Sequence, residues 1–325
     1  MKVKRFSIGI IIIIISLMFG CSNTNHDVTS LTLGTFSKSL GNAPYHIAKY
    51  FNWFEQNPSL KDIKFTYEIF NDRPTISQAF DKNELQMLLS AEVPAILCKA
   101  QGNDIKIVEI SGIVTVEILG KKDLNISSIE DLKNKKIAVL QGTSSHYGLL
   151  TSILNSGLSL SDINLIYMGP TEARTAFETG KIDAWAVWSP FIEEQEILNK
   201  SANVIKGGNT IIANVVTIPT SLIKYNPKIV QALIEVLHRA KKWIIENPQD
   251  AAPIIAEDLG IDIRIVQEAL KKFDYSKYLD MSSILDFQNK AQFLSDQEKT
   301  RKSINIDIQN DMIDLSFTKM NNENE

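Results

Sequence analysis

The sequence predicts an α/β fold, with parallel strands joined by crossover helices. Three observations predict it. Short apolar strands alternate with amphipathic helical stretches from Ser30 to about Asn199. The helices open on Pro or hydroxyl residues and several close on Gly. The last third then changes to nearly continuous helix.

The elements follow in order. Residues 31–36 read as a strand, and 43–54 as a helix with Pro44 in its first turn. Residues 63–70 alternate apolar and polar (Ile63, Phe65, Tyr67, Ile69), the period of a strand. Pro74 opens a helix to about Phe80, 85–89 is a buried strand, and Pro94 opens another helix. Residues 114–119 form a strand, and Ser127-Ser128-Ile129-Glu130 has the capping-box pattern of a short helix. Residues 136–140 are a strand and 144–155 a helix that Gly157 stops. Residues 163–168 are a strand, 171–179 a helix ended by Gly180, and 184–188 a strand. Pro190 opens a helix to about Asn199, and 215–218 is the last strand. Helices then start at Asn226-Pro227 and Asn247-Pro248, with more over 262–273 and 282–295. The end of the chain is polar.

The N-terminus is an address. Lys2, Lys4 and Arg5 precede an apolar run over 6–19, shorter than the roughly 20 residues a bilayer span needs. Gly20-Cys21 and a polar stretch follow, so 1–20 reads as an export signal and 21–29 as a tether. Leu17-Met18-Phe19-Gly20-Cys21 resembles a bacterial lipobox, with Met18 where Leu is usual. Cys21 would then carry the lipid, and two acyl chains would anchor the protein stably. The plainer reading is a secreted protein with an incidental cysteine. The position of Cys21 at the cleavage point favours the anchor. Cys98, the other of the two cysteines, sits among Ala95, Ile96 and Leu97 as a small buried hydrophobe, so the mature chain has no disulfide framework.

The net charge of −4 falls to about −7 once the basic leader is removed. Nucleic acid is therefore excluded as a partner, since it needs a basic face. An acidic protein can still hold an anion through local backbone dipoles.

One stretch carries the chemistry. At Lys136-Ile137-Ala138-Val139-Leu140-Gln141-Gly142-Thr143-Ser144-Ser145-His146 a strand ends, Gly142 turns, and a helix begins among hydroxyls. Free amides and the positive helix end would face an anion there, with Thr143, Ser144 and Ser145 adding donors. The alternative is that Thr143 and Ser144 only cap their own helix. No Gly-Lys-Ser/Thr follows, so this is not a phosphate-binding Walker loop. His146 stands where a nucleophile elbow needs glycine, and it lies about 200° round the helix from Ser144. The four histidines have no metal-ligand spacing and read as surface or half-buried residues, so neither a metal nor a cofactor is implied. Trp188 ends its strand where ligands of open α/β sheets bind, while Trp185 points to the core.

Residues 141–146 and the run Glu172-Ala173-Arg174-Thr175-Ala176-Phe177-Glu178-Thr179-Gly180-Lys181-Ile182-Asp183-Ala184-Trp185-Ala186-Val187-Trp188 resemble the periplasmic aliphatic-sulfonate-binding proteins, relatives of the taurine- and nitrate-binding components of ABC importers. The resemblance implies a two-lobed periplasmic-binding-protein fold (type II) with two crossing hinge strands. Lobe one would comprise 30–113 plus 216–310, lobe two 114–215, and 311–325 a tail. It implies a monomeric, non-enzymatic lipoprotein that hands a small organic anion, a sulfonate, to a permease and ATPase complex. The anion would rest on Gly142, Thr143, Ser144 and Ser145. Trp188 would line the cleft, faced by Ser90-Ala91 and Gly41-Asn42 from lobe one. Two departures from the family pattern matter. Ser189 stands where relatives carry Asp; it can still cap the following helix but leaves no carboxylate for an amine such as taurine's. Arg73 stands where relatives often have a small residue; it is either an anion clamp or a solvated surface arginine. Alternatives are a fold-related enzyme of the pyrimidine-precursor or menaquinone-pathway type, or a lobe serving a membrane sensor. The export signal and the absence of a His or Cys cluster argue against the enzyme.

Overall fold

The alternating pattern of apolar strands and capped helices folds as one mixed sheet covered by helices. The computed structural model describes residues 28–297 and 306–318. The leader 1–20, Cys21 and the last seven residues lie outside them.

In chain order the first elements are β1 (Ser30–Phe36), α1 (Ala43–Tyr50), α2 (Trp53–Gln56), β2 (Lys64–Phe70), α3 (Arg73–Asp81), β3 (Met87–Ala91), α4 (Glu92–Ala100) and β4 (Ile105–Lys121). Then come β5 (Lys136–Val139), α5 (Ser144–Asn155), β6 (Asn164–Tyr167), α6 (Pro170–Glu178), β7 (Ala184–Ala186), α7 (Phe191–Glu193) and β8 (Ala202–Pro219). The chain finishes with α8 (Thr220–Tyr225), α9 (Pro227–Glu246), α10 (Pro248–Leu259), α11 (Ile263–Lys272) and α12 (Met281–Gln297), then short turns over 308–317.

Several expectations change. The helix over 43–54 breaks at Asn52, which takes a left-handed φ of 55° and separates α1 from α2. The capping box near 127 is one residue later than its sequence pattern suggests. Asp131, not Glu130, returns its carboxylate to the Ser127 and Ser128 amides, while Ser128 Oγ accepts from the Asp131 amide. Residues 312–317, inside the tail expected from 311, are packed on the domain: Met312, Ile313 and Phe317 are buried and Ile313 bridges to Ile107 in β4.

The sheet has eight strands in the order β2-β1-β3-β8-β4-β7-β5-β6. Its outer thirds are parallel, as the alternation predicts: β1 pairs with β2 and β3, and β5 with β6 and β7. The middle is antiparallel, because β3 pairs with β8, β8 with β4, and β4 with β7. The short strands expected at 114–119 and 215–218 are parts of the long β4 and β8. These two pair from Ile105↔Pro219 to Lys121↔Ala202, with register shifts near Glu109, Gly112 and Glu117. Each shift bends and twists the ribbon locally. It therefore joins the two parallel thirds without belonging to either.

The largest core lies beside β1, β3 and β8, where Leu33, Leu89 and Val216 meet Ile47 and Leu237 from α1 and α9. Separate clusters cover the two faces of the β5-β6-β7 third. One contains Ile137, Leu149 and Ile153; the other contains Phe177, Trp185 and Phe191. Trp185 is core, as expected. So is Cys98, whose thiol burial pushes up to about 12. Apolar burial of this kind, at about 25 cal/mol per Å², is what holds a disulfide-free chain together.

Candidate functional site

The site starts where β5 ends. Gly142 adopts a left-handed φ of 73°, a conformation open to glycine, and turns the chain into the start of α5. Thr143 is the extended N-cap. Its Oγ1 accepts from the His146 amide at 3.2 Å and donates to the Leu140 carbonyl at 2.8 Å. For Thr143 the capping alternative therefore holds, because its hydroxyl is already committed. Ser144 and Ser145 differ. Both are buried, and neither Oγ has a hydrogen-bond partner. A buried hydroxyl without a partner costs about 1–3 kcal/mol, and within the protein neither of these two is engaged as the Thr143 hydroxyl is.

Thr143, Ser144 and Ser145 line one small cavity with Trp188, Ala91, Pro94, Phe36, Ser39, Ile212 and Asn214. These come from the end of β1 and the turn after it, the end of β3 and the first turn of α4, the turn after β7, the start of α5 and β8. None of the lining side chains is charged. The cavity holds about 30 Å³, room for about one water molecule. Trp188 stands half-buried two residues past β7, its indole edge-to-face with Phe191 at 6.1 Å. A negative group here would meet the positive end of a twelve-residue helix, two free hydroxyls and an indole.

Of the other expected residues, Ala91 lines the cavity and Gly41, Asn42, Ser90 and Arg73 do not. Ser39 Oγ donates to Asn214 Oδ1 at 3.3 Å and accepts from the Gly41 amide at 3.3 Å. Gly41 packs so closely that a Cβ there would lie 1.9 Å from Asn214 Nδ2. Its carbonyl accepts from Ser111 Oγ, and that of Leu40 from Tyr275. Asn42 is fully buried with no partner for either side-chain atom. Ser90 is buried and donates to the Ala91 carbonyl. Arg73, at the first turn of α3, does not line the cavity. Ser189 caps nothing: its Oγ donates to Glu193 Oε1 at 2.9 Å.

Sequence reasoning missed Phe36, Ser39, Pro94, Ile212 and Asn214. Asn214 carried a usable signal, as a polar residue inside the apolar run 211–218. His146 is buried, not at the surface. Its Nε2 lies 3.3 Å from the Tyr167 hydroxyl, and burial lowers its pKa to about 4. As pH falls, the unfolded imidazole takes up its proton first, near 6.5. This contribution to stability is complete above pH 6.5, shrinks by roughly 3 kcal/mol down to pH 4, and is constant below. Urea midpoints of wild type and His146→Gln should diverge across that window. Parallel pH profiles would refute the assignment.

Among the described residues no group of three His, Cys, Asp or Glu side chains could hold a metal. The chain has named relatives. A Bacillus subtilis (strain 168) protein named for binding aliphatic sulfonates is 26% identical over 321 residues, 95% of each chain. The alkanesulfonate-binding protein SsuA from Xanthomonas axonopodis pv. citri, solved with MOPS bound, superposes with a TM-score of 0.73 at 25% identity, over 85% of this chain and 95% of that one. The periplasmic aliphatic sulphonate binding protein SsuA from Escherichia coli superposes with a TM-score of 0.76 at 22% identity, over 87% and 97%. Its likeness speaks for the fold, a periplasmic-binding-protein architecture. The NMT1/THI5-like family profile matches residues 42–251, and the chain belongs to that family.

Proposed function

We propose that the chain is the exported solute-binding component of an ABC importer, a binding protein and not an enzyme, and that it captures a small organic anion of the sulfonate class. One observation carries this reading: the buried, unpartnered Ser144 and Ser145 hydroxyls at the N-terminus of α5, in a cavity with no charged wall. Amides, hydroxyls and the helix end together suit a strong-acid head that stays ionised. Trp188, Phe36 and Ile212 suit an alkyl or aryl remainder. No carboxylate lines the cavity, so an alkanesulfonate is favoured over its amino counterpart taurine.

Two lobes, 30–113 with 216 onward and 114–215, close on the ligand by flexing β4 and β8. The one-water volume of the cavity supports this, since a sulfonate enters only when the walls part. Cys21 carries the lipid anchor, and membrane fractionation of Cys21→Ala tests it: a variant that stays membrane-bound removes the anchor from the proposal. No helix among the described residues is long and apolar enough to cross a membrane.

A ligand at a hundredfold excess over its Kd stabilises the folded state by about 2.7 kcal/mol, which raises Tm by several degrees in a chain of this size. A panel of alkanesulfonates, aromatic sulfonates, taurine and nitrate should produce that rise with at least one alkanesulfonate. No shift with any of them overturns the reading.

A further inference from the structure

Lys272, the last residue of α11, lies outside the cavity and is used by nothing described so far. Its Nζ sits 2.9 Å from Glu117 Oε2, 3.1 Å from Glu193 Oε1 and 3.4 Å from Glu196 Oε2. Lys272 belongs to the segment after 216. All three carboxylates belong to 114–215. The ammonium therefore bridges the seam between the two proposed lobes, and one cation serves three anions.

The bridge reaches the cavity in two steps. Glu193 is fully buried, and the oxygen that meets Lys272 also accepts from Ser189 Oγ. Ser189 follows Trp188, which lines the cavity. From these contacts we propose that Lys272 is an ionic latch: it fastens the closed lobes, and through Glu193 and Ser189 it positions Trp188 against the ligand. The proposal deepens the binding reading above and rests on it for the lobes and the ligand.

The physics favours a latch over a decorative surface pair. An exposed pair contributes little, but removing one partner from a buried one leaves an uncompensated charge. Here the loss of Lys272 removes the cation that ties the segment after 216 to three carboxylates of 114–215, and leaves Glu117, Glu193 and Glu196 uncompensated on their own side of the seam. Burial already raises the Glu193 carboxyl despite Lys272 and Ser189, and Glu193 and Glu117 hold Lys272 charged against its own burial. A second contact between the two proposed lobes is aromatic, with Tyr147 of α5 edge-to-face on Phe293 of α12 at 5.1 Å. By reciprocity, whatever the latch adds to ligand affinity the ligand adds to closure.

The test uses Lys272→Met, Lys272→Arg, Glu193→Gln and the Lys272→Met/Glu193→Gln pair, with pentanesulfonate as probe. Lys272→Met should weaken the probe about tenfold to a hundredfold, mainly through faster dissociation, with Lys272→Arg restoring most of it. Adding Glu193→Gln to Lys272→Met should cost little further affinity, because the ion pair across the seam is already broken. A merely structural role would make the pair worse than either single change. Small-angle scattering of the probe-free proteins should show Lys272→Met more extended than wild type. Unchanged dissociation with unchanged scattering overturns the latch. Should wild type bind no sulfonate at all, the binding reading fails, and scattering alone then decides whether Lys272 holds the lobes together.

Discussion

A protein carrying Ser144→Ala together with Ser145→Ala is expected to bind its sulfonate about 10² to 10⁴ times more weakly while keeping its fold. Each hydroxyl would donate to a charged oxygen, a bond of about 1.5–3 kcal/mol, and each 1.4 kcal/mol is tenfold in Kd. Without ligand the same pair should be as stable as wild type or slightly more so, because both Oγ atoms are buried and unpaired. Binding sites commonly trade stability for function in this way. Thr143→Ala is the contrasting control. Its hydroxyl accepts from His146 and donates to Leu140, so its loss should cost about 1 kcal/mol of stability and little affinity. Calorimetric titration with urea denaturation separates the two. If the serine pair keeps its affinity within threefold, the anion does not sit at the start of α5.

Lys290→Met is expected to lower stability by about 3–5 kcal/mol, the usual cost of stranding a buried charge. Lys290 and Glu92 are both fully buried, and Lys290 Nζ lies 2.7 Å from Glu92 Oε1 and 2.6 Å from Asp286 Oδ2. The pair also grips β8. Glu92 Oε2 accepts from the Ala213 amide and Lys290 donates to the Ile211 carbonyl, on either side of cavity residue Ile212. Ligand affinity should therefore fall with stability. Glu92→Gln added to Lys290→Met should recover much of the stability, since the stranded charge disappears. Urea midpoints decide it, and a loss below about 1 kcal/mol for Lys290→Met would show the pair to be dispensable.

The two variants probe different kinds of information. Ser144 and Ser145 were legible because a strand end, a glycine and hydroxyls at a helix start are consecutive in the chain. Lys290 and Glu92 were not, since neither has a local pattern to mark it. The same holds for Lys272 and its three carboxylates. Asn42 was legible as a residue before a Pro-started helix, but its buried, unpaired amide follows only from how 40–42 pack against Asn214 and Tyr275. Arg73 reads as either an anion clamp or a solvated surface arginine, and it is not among the residues that line the cavity.

By itself the sequence determined the α/β alternation, the starts of nearly all helices and the glycine turn into a hydroxyl-rich helix start at 142–145. These depend on periodicity, caps and glycines, all within a few residues of one another. Tertiary structure alone decided the long β4-β8 ribbon, the pairing of buried charges and the composition of the cavity wall. Those depend on which distant segments the folded sheet brings within a hydrogen bond of each other. In β4 and β8 the polar residues that break the apolar pattern, Glu109, Ser111 and Asn214, are satisfied or put to use by partners elsewhere in the chain.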